Sequence, residues 1–440
     1  MKNYIVLSVI AIILLFSSCD DYLDVIPKGE LIPESIDDYA LMLNSVEFYN
    51  VPKLHVMIDD DFFTNQPTSL QKPQAAAYLW EDFFYDDTEN DPNWGLLYEQ
   101  VFLANTILKG IEGIESDEKV DQVRAEALFQ RSYAFFLLVN LYAKHYNSAT
   151  ASADLGIPLI LSPSLEEETY VRNTVEEVYA RIIADVEDHV DFLPDVHEDK
   201  VRPGKDAAYG FLARVFLYMG EFEKAKEAAT NALNLNDSLF DLRTSVAGYP
   251  YRFHDYVEGY INKTAFGVPS AFTMDNTTKA EVYTEGTDLR YNGLFFNFVV
   301  NSLYRFFALN YTGPSTPEMY LIRAEANARN NNVQEALDDL NEMRKYRFLE
   351  ADYQEILPSD VDDIFELVQL ERRRELMYKG HRWFDVKRLN SEGVWNVSLE
   401  RRDATGTAIA TLPANDNKAV FAIPPKIISE FNTNLQQNPR

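Results

Sequence analysis

From residue 94 onward, apolar positions recur every three or four residues. In "NWGLLYEQVFLANTILKGI" the residues Leu97, Val101, Ala104 and Leu108 form one stripe, the signature of an amphipathic helix. The stretch "DEKVDQVRAEALFQRSYAFFLLVNLYAKHY" (117–146) predicts a long second helix, with an acidic first turn and a basic end that both suit the helix dipole. A third begins at Thr174, where Thr-x-x-Glu, ending on Glu177, is a capping box, and Pro194 closes it.

The pattern then repeats. Residues 208–233, "AYGFLARVFLYMGEFEKAKEAATNAL", lie over 319–343, "MYLIRAEANARNNNVQEALDDLNEM", with a shift of 111. Tyr209 falls on Tyr320, Ala213 on Ala324, Gly220 on Asn331 and Ala225 on Ala336. Small residues let antiparallel helices approach closely, and Gly or Asn supplies the turn between them. This is the pattern of tetratricopeptide-type hairpins, whose period is about 34 residues. Such hairpins bury their faces only against neighbours. The fold class predicted is mainly α, a scaffold of tetratricopeptide-like hairpins over about 94–236 and 313–389.

Two stretches break the helical period, about 45–93 and about 237–312, and both are rich in Tyr, Phe, Asp, Asn, Gly and Pro. Loops longer than about 15 residues are uncommon unless they carry function. These long irregular, aromatic-rich insertions are therefore where ligand chemistry is expected, held out by rigid helices.

The other break lies at the start. Lys2 precedes an almost uninterrupted aliphatic run from Ile5 to Phe16, which is short of the roughly 20 residues a spanning helix needs. A positive start, a short apolar core and two small serines describe a secretory signal peptide over 1–18. The next residue, Cys19, is the only cysteine in 440 residues. Phe16-Ser17-Ser18-Cys19 resembles a bacterial lipobox, in which the thiol is acylated and cleavage leaves Cys19 as the new amino terminus. Acyl chains tether a protein to a membrane without threading it through. With one cysteine, neither an intrachain disulfide nor a Cys-based metal site forms.

Seventy acidic against 40 basic residues give a formal charge of −30. Nucleic-acid binding needs a basic footprint, so no nucleic-acid partner is expected. The chain carries no metalloprotease His/Glu motif, phosphate-cradling Gly loop or Gly-x-Ser-x-Gly elbow.

Several blocks together resemble the SusD/RagB-like outer-membrane lipoproteins of glycan-scavenging Gram-negative bacteria. They are "CDDYLDVIPKGE" after the leader, "WGLLYEQVFLAN" (94–105), "RAEALFQRSYAFFLLVNLY" (124–142) with "GIPL" (156–159), "LIRAEANAR" (321–329), "ERRRELMYKGHRWFDVKRL" (371–389) and "FAIPPKIISEFNTNLQQNP" (421–439). The resemblance runs nearly end to end and makes 19–440 a single domain. It implies a lid over a SusC-like TonB-dependent transporter in the outer membrane, binding oligosaccharides, or in some members peptides, with no catalytic residues and no cofactor. Asp20 and Asp21, directly after the cysteine, resemble a surface-export signal.

Sugar binding asks for flat rings against C–H faces, with polar groups for the hydroxyls. The insertions offer Trp80 and Tyr85 in "YLWEDFFYDD", Tyr251 and Phe253 in "AGYPYRFHDYVEGY", and Tyr283, Arg290 and Tyr291 in "EVYTEGTDLRYNGLFF". Each ring has a second reading, packing its own insertion onto the helices; for Trp94, at a helix start, packing is the stronger one. In 371–389, Arg374, His381 and Arg382 suggest anion binding, but pairing of Arg372 to Arg374 with carboxylates of neighbouring helices accounts for them better. The acidic runs 59–63 and 85–94 are the densest places for the paired carboxylates, about 5 to 10 Å apart, that a glycosidase needs. The second run also suggests a calcium loop, yet Pro92 and Tyr98 stand where an EF-hand needs Gly and Glu, and no metal is assigned. The alternatives left open are peptide binding on the same architecture and a glycan-active enzyme.

If Cys19 is the lipid attachment point, radiolabelled fatty acid fed to cells making the full chain will label the mature protein, and Cys19→Ala will abolish the label. Unlabelled protein would remove the anchor.

Overall fold

A computed structural model describes residues 33–64, 67, 70–164, 170–244, 258–261, 263–265, 276–283, 287–293, 310–403, 405–431 and 434–440. Cys19, Tyr251 and Phe253 lie outside the described residues.

The described chain is mostly helical. Its helices are α1 (Ile36–Met42), α2 (Leu54–Met57), α3 (Lys72–Tyr78), α4 (Pro92–Gly110), α5 (Glu118–Tyr142), α6 (Val175–Glu187) and α7 (Lys205–Met219). They continue with α8 (Phe222–Leu235), α9 (Asn276–Val282), α10 (Leu289–Gly293), α11 (Thr316–Arg329), α12 (Val333–Arg344), α13 (Ile364–Glu375) and α14 (Arg382–Ser391). Two small antiparallel ladders complete it. The first pairs β1 (Thr264–Ala265) with β2 (Asn310–Tyr311), and the second pairs β3 (Leu399–Arg402) with β4 (Ala408–Leu412), with a register shift at Arg401/Arg402.

Local chemistry sets the helix ends. Asp91, Asp117 and Thr174 cap α4, α5 and α6, each side chain accepting a backbone N–H of the first turn, and Thr174 with Glu177 closes the predicted box. The two repeat units fold as hairpins, α7 with α8 and α11 with α12. The aligned turn residues Gly220 and Asn331 both take the left-handed backbone, at φ 76° and 60°, the region that Gly and Asn enter most cheaply. The helices pack in series: α4 on α5, α5 on α6, α8 on α11, and α11 on α13. The long apolar reading of α5 reflects burial on every side, since almost all of it from Ala125 to Tyr142 is inside.

Insertion 45–93 turns most of its rings inward: Phe48 packs in a cluster beside α4, while Phe62, Tyr78, Trp80 and Phe84 join the main core, and Phe83 stays exposed. The carboxy-terminal strip is also interior. Arg172 donates to the carbonyls of Gly156, Tyr142, Leu155 and Gln436 and to Asn438 Oδ1, and Asn438 in turn donates to Tyr142 O and Phe421 O.

Charge runs through the interior in pairs. Arg388 of α14 donates to both oxygens of Glu325 of α11 at 2.6 and 2.7 Å and to Asp385 at 2.8 Å, while Arg372 of α13 reaches the same Asp385 at 2.9 Å. Arg214 of α7 grips Glu318 of α11 at 2.7 Å with Nε and Nη2, and its Nη1 donates to Tyr133 Oη of α5. Of Arg372 to Arg374, only Arg372 pairs as expected with a neighbouring helix, through Asp385 of α14; Arg373 reaches Asp60 and Asp61 in the loop after α2, and Arg374 pairs with Glu371 of its own helix. The helix α13 stops at Glu375, and the left-handed residues Tyr378 and Gly380 turn the chain into α14.

Breaking a buried pair strands its other charge at about 3–5 kcal/mol. Arg388→Met or Glu325→Gln is expected to lower stability by that amount in urea unfolding, whereas Lys109→Ala, in an exposed pair with Glu112, shifts it by under about 1 kcal/mol.

Burial pushes the Glu371 carboxyl up, but Arg290, Arg374 and Arg344 around it outweigh this and hold it down at about 2. A lowered carboxyl stabilises the fold above its unfolded value and loses that contribution as pH falls through its folded value. Thermal unfolding should therefore show stability declining between about pH 4.5 and pH 2, and Glu371→Gln should flatten that decline.

Candidate functional site

Most of the ring and cation candidates from the sequence are spent in packing. Trp80, at the end of α3 with φ 52°, is 2% exposed; its indole N–H donates to Ile58 O at 3.1 Å, and the Arg401 guanidinium sits 4.4 Å from the ring centre. Tyr85 is 9% exposed, and its hydroxyl accepts from Asn93 Nδ2. Tyr283, 3% exposed, donates to Arg374 O at 2.7 Å. These three rings therefore present no open face to a sugar, which corrects the expectation for them. The physical reason is that each ring is worth more buried, and its polar tip finds a partner there.

Arg290 is corrected likewise. It is 3% exposed and donates to Asp288, Glu371 and Glu375 at 2.7 to 3.3 Å. Arg347 joins the same group through Glu375 and Glu258. This cluster fastens the described ends of the second insertion to α13. Tyr291 of α10 is half-buried against the core. Trp94 packs against Tyr98 and Tyr142 at 4.8 and 4.9 Å, as its packing role predicts.

The other charged candidates are also committed. Arg382 donates to both oxygens of Asp60, Arg373 to Asp60 and Asp61, and Arg374 to Glu371. His381 is buried, and burial first, with Arg214 and Arg372 adding to it, keeps its ring neutral. Asp59 is buried, and burial pushes its carboxyl up, with Asp61 and Asp60 adding to the effect. With Asp59 and Asp61 each 1% exposed, this acidic run is closed to a glycan as it stands. In 85–94, Asp91 caps α4 and accepts the Tyr142 hydroxyl at 2.6 Å. Among the described residues no three carboxylates, imidazoles or thiols converge as a metal cage.

An open cavity lies elsewhere, between the end of α5, α14 and the β3–β4 hairpin. Its volume is about 280 Å³. Trp383, Val386 and Lys387 of α14, Leu399 of β3, Leu412 of β4 and Val420 form its buried wall, and Asn147, Thr150 and Asn417 stand exposed at its rim. Asn390 braces it by exchanging two hydrogen bonds with the Val397 backbone at 2.9 Å, so the turn after α14 is fixed. Lys144 and Thr150 both hold Asp154, at 2.8 and 2.6 Å. His145 lines the cavity as a neutral imidazole, its value pushed down to about 3 by burial and then by Lys387 and Arg388.

The sequence reading missed Trp383, Val386 and Lys387 because they sit inside 371–389, a stretch that reads as scaffold. One signal was present: Trp383 and Lys387 are four apart and share a helix face, which puts a lysine on an otherwise apolar inward stripe.

Two family models match this chain. One, described as starch-binding and associating with the outer membrane, covers residues 21–217, and the other, described as the SusD family, covers 316–440. Among curated proteins, SusD-like protein P2 of Formosa agariphila is 26% identical over 88% of this chain and 91% of its own length. Among solved structures, a SusD superfamily protein of Bacteroides thetaiotaomicron superposes with a TM-score of 0.76 at 20% identity, over 92% of this chain and all of that one. A putative sugar-binding protein of Bacteroides vulgatus gives 0.75 at 21% identity, over 93% and 99%. Surface glycan-binding protein A of Bacteroides fluxus gives 0.68 at 19%, over 92% and 100%. The two family matches, together with the superposed helical fold, agree, and the chain belongs to the SusD/RagB-like family.

Proposed function

We propose that this chain is an outer-membrane lipoprotein, anchored by acylated Cys19 and facing the cell exterior, that binds oligosaccharides without catalysis and delivers them to a SusC-like TonB-dependent transporter for uptake. The observation that carries this reading is the pair of family matches, of which the first is described as starch-binding and associating with the outer membrane. The neighbours named for sugar and glycan binding agree with it. Among the described residues no helix is long and apolar enough to cross a membrane.

The non-catalytic part of the reading rests on where the carboxylates lie. In the densest acidic run, 59–63, Arg373 and Arg382 hold Asp60 and Asp61, and Asp59 and Asp61 are buried, so the run presents no open pair of carboxylates to flank a glycosidic bond. The ligand surface assigned to the chain is the second insertion, through Tyr251, Phe253 and the half-buried Tyr291.

Isothermal titration of the mature protein against a panel of neutral oligosaccharides and of peptides tests this. At least one oligosaccharide is expected to bind, with product absent after prolonged incubation. The combined change Tyr251→Ala, Phe253→Ala, Tyr291→Ala should weaken it at least about tenfold, or about 1.4 kcal/mol. Peptide binding alone, or release of shorter glycans, would overturn the assignment.

A further inference from the structure

Buried cations in this protein follow a rule, and Lys387 departs from it. Arg214, Arg290, Arg347, Arg372 and Arg388 are all buried and all donate to carboxylates. Lys387 is 9% exposed, and among the described residues its ammonium meets only main-chain oxygens, Asn140 O at 2.7 Å and Ala143 O at 3.4 Å. A buried ammonium without a counter-charge is costly. Burial alone pushes its value down to about 7.

Among the described residues Arg401, Arg172 and Lys263 also donate to no carboxylate, and each is otherwise satisfied. Arg401 donates four hydrogen bonds to carbonyls and lies over the Tyr78 and Trp80 rings. Arg172 donates five. Lys263 is fully enclosed by Phe48 O, Gln130 Oε1 and the Tyr133 ring. Lys387 differs because it stands on the wall of the 280 Å³ cavity.

A second donor stands on the same wall. The Trp383 indole N–H is buried and meets no acceptor among the described residues. The wall thus holds an ammonium and an unpaired indole N–H, and of its two carboxylates Asp154 is held by Lys144 and Thr150 while Asp416 accepts the Lys418 backbone N–H as a turn cap. The surroundings limit the rest of the occupant. Val386, Leu399, Leu412 and Val420 give an apolar floor, and the hydroxyl and amide groups of Thr150 and Asn417 stand at the rim. The volume falls just under the range of about 300 to 1,000 Å³ typical of drug-sized ligands, so a single ring fits and a chain of rings does not.

We propose that this cavity is a binding site for a small sugar acid, a single hydroxylated ring whose carboxylate seats on Lys387 and the Trp383 indole N–H. Its ring body rests on the apolar floor and its hydroxyls face the rim. The site shares none of the insertion rings assigned to oligosaccharide capture, and it stands or falls separately from that reading.

Calorimetric titration of the mature full chain with D-glucuronate, D-galacturonate, D-glucuronamide and D-glucose tests it. At least one hexuronate is expected to bind, with glucuronamide and glucose at least about tenfold weaker, since hydrogen bonds to charged groups are the strong ones. Lys387→Met should reduce hexuronate affinity by about tenfold or more while restoring no binding of the neutral sugars. Asn417→Trp, at an exposed rim position, should block the cavity with Lys387 intact and leave oligosaccharide binding unchanged; it keeps the test decisive if Lys387→Met fails to fold. Absence of heat with both hexuronates, equal affinity for glucuronate and its amide, or unaltered binding in Asn417→Trp would overturn the proposal.

Discussion

A charge taken out of water must find an opposite charge or several dipoles, and that constraint organises this molecule. The arginines at its centre are not ornaments on a hydrophobic core. Arg388 joins α11 to α14 through Glu325, and Asp385 passes the link on to Arg372 of α13. Arg214 ties α5 and α7 to α11 through Tyr133 and Glu318. Apolar packing alone tolerates small slips between helices, whereas a two-pronged Arg–carboxylate contact holds only one register. The scaffold thus gains a fixed geometry from groups that an apolar core would not need.

The same constraint explains which residues were misjudged. In the sequence, Arg290 and the rings at 80, 85 and 283 looked like ligand chemistry because they sit among carboxylates in irregular stretches. The structure shows those carboxylates serving as counter-charges within the fold, with Asp288, Glu371 and Glu375 closing around Arg290. A mixed aromatic and acidic loop has two physical meanings, an exposed platform or a buried clasp. Composition does not separate them, because burial is decided by partners far along the chain.

What was legible came from local rules. The capping box at Thr174 and the turn pair Gly220 and Asn331 each depend on a few neighbouring residues. The helical hairpins followed from period and repetition. The cavity beside α14 was not legible, because its wall comes from the ends of α5, α14 and a hairpin brought together only by folding.

The position of Arg172 has a consequence for how the fold fails. Its guanidinium binds the end of α5 and the strip around Asn438 at once, so loosening that strip strands a buried cation and the carbonyls it holds, and damage there is felt at a helix end 296 residues earlier in the sequence.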